Sequence, residues 1–284
     1  SDVMPSSSDL WVAKLDPQGN QSWSRTFDGP GAADDGARGV ASDSLGNVAV
    51  TGFVRIDTAD IDIFVAQLDP AGNTLWSEVV AGPEVYDDRG QAVAIDRDDD
   101  AVIVAGYVSH GGFDRDVWLR KYDLDGDVLW TQTWDNGSSG EDAGQGVAVR
   151  PDGTIAVAGM TPIIATNQDV FLGVWDGSGA LQWVRQFGGQ AYLNDEGLDV
   201  ASDADGNLVV AGFRGASETD GDIWLRKYDA GGNVAWTQAI EGDAGDRDQA
   251  TAVATDADGG IVVTGEIRSV GNDGDIFIAK LGAG

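Results

Sequence analysis

Cysteine is absent from the 284 residues, which excludes a disulfide framework, a thiolate zinc site and a cysteine nucleophile. Histidine occurs once, as His110 in the glycine-flanked stretch Ser109-His110-Gly111-Gly112, where a solvated side chain is expected rather than a catalytic one. Lysine is nearly missing: Lys14, Lys121, Lys227 and Lys280 are the whole set. Against 17 Lys+Arg stand 48 Asp+Glu, for a net charge of −31. A field of that sign repels nucleic-acid phosphates and anionic membrane surfaces, and favours cations and basic partners. No run approaches the roughly 18 apolar residues of a membrane span, so no membrane insertion is expected. No GxSxG elbow, Walker loop or HExxH occurs, and no helical periodicity of useful length. Residues 1–8, inside the polar start SDVMPSSSD, read as a linker or processed end with no secretion signal of their own.

What the chain does have is a repeat. DIWLRKYDAGGNVAW (Asp222 to Trp236) is nearly matched by DVWLRKYDLDGDVLW from Asp116, and more loosely from Asp9, Asp62 and Asp169; a sixth copy, DIFIAKL, begins at Asp275. The opening aspartates are spaced by 53, 54, 53, 53 and 53 residues. Each repeat also carries a hairpin pattern such as GVASDSLGNVAVTG, with a Val-Ala pair at 40/41, 93/94, 147/148, 200/201 and 253/254. A glycine closes the strand that follows, at Gly52, Gly106, Gly159, Gly212 and Gly265. Asp-Gly and Gly-Asn turns supply the positive φ that tight hairpins need. The third strand is apolar on both faces, which means burial between two layers. The fourth carries Trp23, Trp76, Trp130, Trp183 or Trp236, which read as core.

Four short strands in roughly 50 residues fit a propeller blade better than a solenoid coil. The expected fold is therefore all-β: a five-bladed β-propeller of about 53-residue, four-stranded blades, forming one domain over residues 9–284. Blades are expected at about 39–80, 92–134, 146–187 and 199–240, with a fifth at 252–281 completed by 9–27, so that N- and C-terminal strands pair and close the ring. On that count the third strand occurs six times where five suffice. Either DLWVAKL (9–15) or DIFIAKL (275–281) completes the last blade, and the other is surplus.

The motif VAxDxxGN followed by VxG, then DIWLxKYDxxGN and Trp, resembles the bacterial β-propeller repeat family often called SBBP and, more distantly, NHL repeats. The likeness covers residues 9–281. The Gly-His and Trp-Asp marks of WD40 and the paired glycines of kelch are missing. The resemblance implies a secreted or surface-attached bacterial protein without an assigned catalytic site.

Several sites are candidates. Asp35, Asp88, Asp142, Asp195 and Asp248 each precede an innermost strand, and propeller geometry puts them on the same face as Asp62, Asp116, Asp169, Asp222 and Asp275. They either fix their loops by accepting backbone N–H groups or form a metal site, for which clustered carboxylates suit Ca²⁺. The turns DRDDD (96–100), DLDGD (123–127), DADGN (203–207) and DADGG (256–260) look like half a calcium loop, but turn chemistry alone accounts for them. No other cofactor is expected. Partner binding is assigned to the two terminal strands through Asp9, Leu10, Trp11 and Val12 and through Asp275, Ile276, Phe277 and Ile278, because a free edge strand is a template for strand addition. Ile163 and Ile164, in the loop MTPIIATNQ, and Tyr192 with Leu193 are further contact candidates. The function expected is a non-catalytic extracellular or cell-surface structural or adhesive module, self-assembling through its extra strand with other copies or surface partners. A glycan-binding lectin is the alternative, and a hydrolase using face carboxylates comes last.

Overall fold

The computed structural model describes residues 8–30, 34–57, 60–111, 114–137, 139–164, 167–189, 193–215, 221–242, 247–268 and 274–282. Among them are 21 strands in antiparallel sheets and no helix, so none is available to cross a membrane. The chain divides into two compact units, residues 1–135 and 136–284.

In the first unit, among the described residues, β1 (Leu10–Leu15) pairs only with β2 (Gln21–Phe27). Two four-stranded meanders follow. One is β3 (Gly36–Ser42), β4 (Val48–Arg55), β5 (Ile61–Leu68) and β6 (Thr74–Val80); the other is β7 (Arg89–Asp96), β8 (Ala101–Gly111), β9 (Asp114–Tyr122) and β10 (Val128–Trp134). The second unit repeats the meander in β11 (Ala143–Val149), β12 (Ile155–Ile164), β13 (Asn167–Trp175) and β14 (Leu181–Phe187). It does so again in β15 (Asp195–Ser202), β16 (Leu208–Gly215), β17 (Gly221–Tyr228) and β18 (Val234–Ile240). It ends in a three-stranded sheet of β19 (Gln249–Thr255), β20 (Ile261–Ile267) and β21 (Asp275–Leu281).

The repeat thus folds as propeller-like blade sheets, and among the described residues the expected five become six. DIFIAKL does pair with β20, from Ile261↔Leu281 to Ile267↔Asp275, while DLWVAKL stays with its own hairpin partner β2. The physical reason is local: a hairpin partner a few residues away closes a much smaller loop than a strand some 250 residues away.

Within each unit the sheets stack face to face. The Ile63 and Val65 face of β5 packs on Trp118 and Tyr122 of β9. Leu10 and Val12 pack on Phe64, Ala66 and Leu68, and Leu172 and Val174 pack on Trp224 and Tyr228. This is why the third strand is apolar on both faces. The Val-Ala pairs serve the same stacking: Val93 lies against Ala41 and Ala49 of the preceding sheet, and Val253 clusters with Ala201 and Ala211.

The recurrent glycine of the second strand also has a physical cause. Each first strand carries a bulge at one place, between Ala37/Gly39, Gly90/Ala92, Gly144/Gly146, Gly197/Asp199 and Ala250/Ala252. The residue facing it is always the glycine. A Cβ there would come within 1.8–2.0 Å of a first-strand carbonyl oxygen, that of Gly36, Arg89, Ala143, Glu196 or Gln249.

Trp23 is buried in the core and Trp76, Trp183 and Trp236 pack against it, and the first two also clasp the neighbouring sheet. Trp23 Nε1 donates to Pro70 O at 3.0 Å, and Trp76 Nε1 donates to Leu124 O at 3.1 Å. Gly72 and Gly126 lie flat on these two indoles, with no room for a Cβ.

Candidate functional site

The five acids ahead of the innermost strands are buried, and each acts as a loop clamp. Asp88 accepts the N–H of Gly82 at 2.5 Å on one oxygen and that of Ser109 at 2.7 Å on the other. Asp35 does the same with Gly29 (2.5 Å) and Arg55 (2.7 Å), and Asp248 with Gly242 (2.8 Å) and Arg268 (2.6 Å). Asp195 holds Gly189 and Gly215, the latter at 2.9 Å, and Asp142 takes Asn136 N–H at 3.4 Å. The backbone N–H of the acid is used as well. Asp35, Asp88 and Asp248 donate to Ser8 O, Ile61 O and Gly221 O, at the start of the preceding sheet's third strand. One residue therefore ties the entering loop, its own second strand and the neighbouring sheet. The glycine six residues ahead lets the loop close on the carboxylate: a Cβ at Gly82 would sit 2.1 Å from Asp88 Oδ2. Sequence reasoning missed that partner, although the spacing is legible at 29/35, 82/88, 189/195 and 242/248.

Two acids of the second set act on the first: Asp62 on Asp88, and Asp169 on Asp195. Burial raises the Asp88 carboxyl to about 6, against its two N–H bonds and with help from the negative charge of Asp62 and Asp60. Asp62 also rises to about 6, through burial first and Asp60 second, and it has no hydrogen-bond partner among the described residues. Its counterparts are better served: Asp116 meets His110 Nε2 at 3.0 Å, Asp169 takes Asn167 Nδ2 at 3.2 Å, and Asp222 lies 3.6 Å from Arg214.

These two acids give opposite expectations on amidation. Asp88→Asn puts an NH₂ group against an N–H donor, so it should lose about 2 kcal/mol despite removing a buried charge. Asp62→Asn removes a buried charge and breaks no side-chain hydrogen bond among the described residues, so it should gain about 1 kcal/mol at about pH 7.5. A raised folded pKa favours the folded state below the unfolded value, and that advantage disappears as pH rises through about 6. The gain in Asp62→Asn should therefore vanish at about pH 4. Urea melts at both pH values check this; equal losses in both variants, abolished by a chelator, would instead point to a shared metal ion.

The half-calcium turns are self-satisfied. Asp123 accepts the N–H groups of Asp125 and Asp127, and Asp203 those of Asp205 and Asn207. Three of the four turns also receive a lysine from the third strand of their own sheet. Lys121 reaches Asp96 and Asp99 at 3.1 and 2.7 Å, Lys227 reaches Asp203 at 3.1 Å, and Lys280 reaches Asp256 at 2.7 Å. Where the turn begins with Arg150 instead of an acid, the strand position holds Val174, and where it begins with Asp43 that position holds the neutral Gln67. Arg150 instead donates to Gly206 O at 2.8 Å and Ala230 O at 3.0 Å. Three of the four lysines are thus assigned to turn acids, a role the sequence did not reveal, while Lys14 donates to Gly46 O at 3.2 Å.

Among the described residues, one group of three acids brings carboxylate oxygens within 4.8 Å of one another: Asp9, Asp28 and Asp35. Asp35 spends its oxygens on Gly29 and Arg55. His110 lies in strand β8, one residue before its end, instead of in a loop, and the neighbouring Ser109 hydroxyl donates to Asp87 O.

The partner-binding candidates separate. Leu10 and Val12 are buried, whereas Trp11 is 58% exposed and Asp9 is exposed. Ile276 (87%) and Ile278 (69%) are bare, Asp275 is exposed and Phe277 is half-buried. MTPII is not loop: Met160 to Ile164 finish β12. The side chains of Ile163 and Ile164, and all of Tyr192, lie outside the described residues; Leu193 O accepts Asn167 Nδ2 at 3.1 Å.

No family model and no curated protein matches this chain. Solved structures do. A protein from Lactobacillus plantarum aligns with TM-score 0.53 and 15% identity over 97% of this chain and 82% of its own. A protein of unknown function from Dyadobacter fermentans aligns with TM-score 0.58 and 13% identity, over 93% of this chain and 79% of its own. The likeness is one of fold.

Proposed function

We propose that the chain is a non-catalytic, self-assembling structural or adhesive module of the bacterial propeller-repeat type, working outside the cell or on its surface. Its sheets would serve as the blades of a ring with five positions. The observation that carries the reading is that the repeated carboxylates are spent on the scaffold: two N–H groups each for Asp35, Asp88, Asp195 and Asp248. Carboxylates that hold their own loops are not available as a general acid and base, and a rigid scaffold built this way presents its variable loops for contact.

A lectin reading stands second. It would use the cleft of about 310 Å³ between the two meanders of the first unit, where Trp76, Leu75, Asn47 and Asp125 converge. Against it, the Trp76 indole N–H already donates to Gln67 and Leu124.

Immunogold labelling of producing cells tests the first reading, with label expected on the exterior. A glycan array and a panel of glycoside and ester substrates test the others. Array binding lost in Trp76→Ala would favour the lectin, and turnover lost in Asp62→Asn would overturn the non-catalytic assignment.

A further inference from the structure

Gln67 breaks the pattern of its strand position. It stands opposite Trp76 in register, as Lys121 stands opposite Trp130, Lys227 opposite Trp236 and Val174 opposite Trp183. In the other three four-stranded sheets the side chain at this position is spent. Lys121 and Lys227 hold turn acids, and Val174 is packed into the core. The turn beside Gln67 asks nothing of it. Asp43 already accepts the N–H groups of Leu45 and Asn47 on one oxygen and Asn47 Nδ2 on the other.

Gln67 is fully buried, and its Nε2 has no hydrogen-bond partner among the described residues. The orientation of the amide follows from its neighbour. An indole N–H can only donate, so the atom 2.9 Å from Trp76 Nε1 is the oxygen, and the NH₂ group is the end left over. A buried donor without a partner is costly, and native folds rarely keep one. Gln67 lines the cleft of about 310 Å³ between the β3–β6 and β7–β10 sheets, with Trp76, the half-exposed Leu75 and the exposed Asp125. The whole lining comes from residues 47–125, inside the first unit.

The chemistry of that lining narrows the ligand. A simple cation brings no acceptor for Gln67 Nε2. An anion meets the Asp125 carboxylate and a chain of net charge −31. A wholly apolar molecule leaves the donor unpaired. A neutral, hydroxylated ring answers every group: one hydroxyl accepts from Gln67 Nε2, another donates to Asp125, and the C–H face lies against Leu75 and the Trp76 ring. The volume is at the small end of ligand clefts, which suits one sugar ring rather than a longer chain.

We infer that this cleft binds a single neutral sugar residue, with Gln67 as the specificity-determining donor. The Trp76 N–H, already given to Gln67 and Leu124, is not asked to donate to the ligand; it aims the amide. Since lysine or valine fills the position in the other four-stranded sheets, one site per chain is expected. This deepens the glycan-binding reading of the cleft and rests on it, and a sugar site is also what an adhesive surface module needs.

Saturation-transfer NMR and calorimetry on the full chain with D-glucose, D-galactose and D-mannose test it. One of the three should bind, at one site per chain. Gln67→Met keeps the volume and leaves Trp76 its bond to Leu124, and should weaken that sugar about tenfold, the loss of one hydrogen bond. Asp125→Ala should weaken it by a similar factor, and being a change to an exposed turn residue it leaves the sheet intact. Unchanged affinity in both variants would overturn the inference, as would more than one site per chain. In either case glycan binding would stand but lie elsewhere. No binding of any of the three sugars would also overturn the inference, and a blank glycan array beside it would remove the glycan-binding reading as well.

Discussion

Replacing Lys121 by methionine is expected to cost roughly 3–5 kcal/mol at neutral pH, a large share of a domain's stability. The ammonium is 1% exposed and bridges Asp96 and Asp99. Burial alone would push its pKa down, but the bonds to Asp99 and Asp96 outweigh that and leave it raised. Methionine keeps the volume and removes the charge, so Asp96, itself buried, stays as a carboxylate holding only the N–H groups of Asp98 and Asp99 on one oxygen. Adding Asp96→Leu should recover most of the loss, because a pair replaced whole leaves no uncompensated charge. Urea melts of the two single variants and the double variant decide it. Full additivity would mean the pair is not coupled.

Gly106→Ala is expected to destabilise by about 3 kcal/mol, at the upper end for overpacking. The added Cβ would sit 1.9 Å from Arg89 O and 3.0 Å from Gly90 Cα, and backbone atoms in a paired strand cannot swing aside. Gly153→Ala is the contrast. Nothing lies within 4 Å of that Cβ, and the residue is glycine for its φ of +77°, so a cost of about 1 kcal/mol is expected. Equal melts for the two variants would remove close approach as the reason for the strand glycine.

Much of this protein is legible in the sequence. The spacing of Asp9, Asp62, Asp116, Asp169, Asp222 and Asp275, the two-faced apolar third strands and the Asp-Gly turns require antiparallel blade sheets, because local turn chemistry and period-two patterning act over a few residues. The placement of Asp88 beside Asp62 followed from the same repeat. What a carboxylate does there did not. Whether Asp88 holds a cation or two amides depends on Gly82 and Ser109 arriving from either side, and the partner lysines of Asp96, Asp203 and Asp256 come from 24 or 25 positions along the chain.

The strand count was readable and the pairing was not. LWVAKL and IFIAKL have almost the same pattern and the same lysine, so side-chain preference gives β20 little reason to choose between them. Tertiary structure decided it, through the short connection that gives β1 to β2 and β21 to β20. The sequence by itself determined that one blade position has two claimants. Only the folded chain showed that each claimant is already paired, β1 with β2 and β21 with β20.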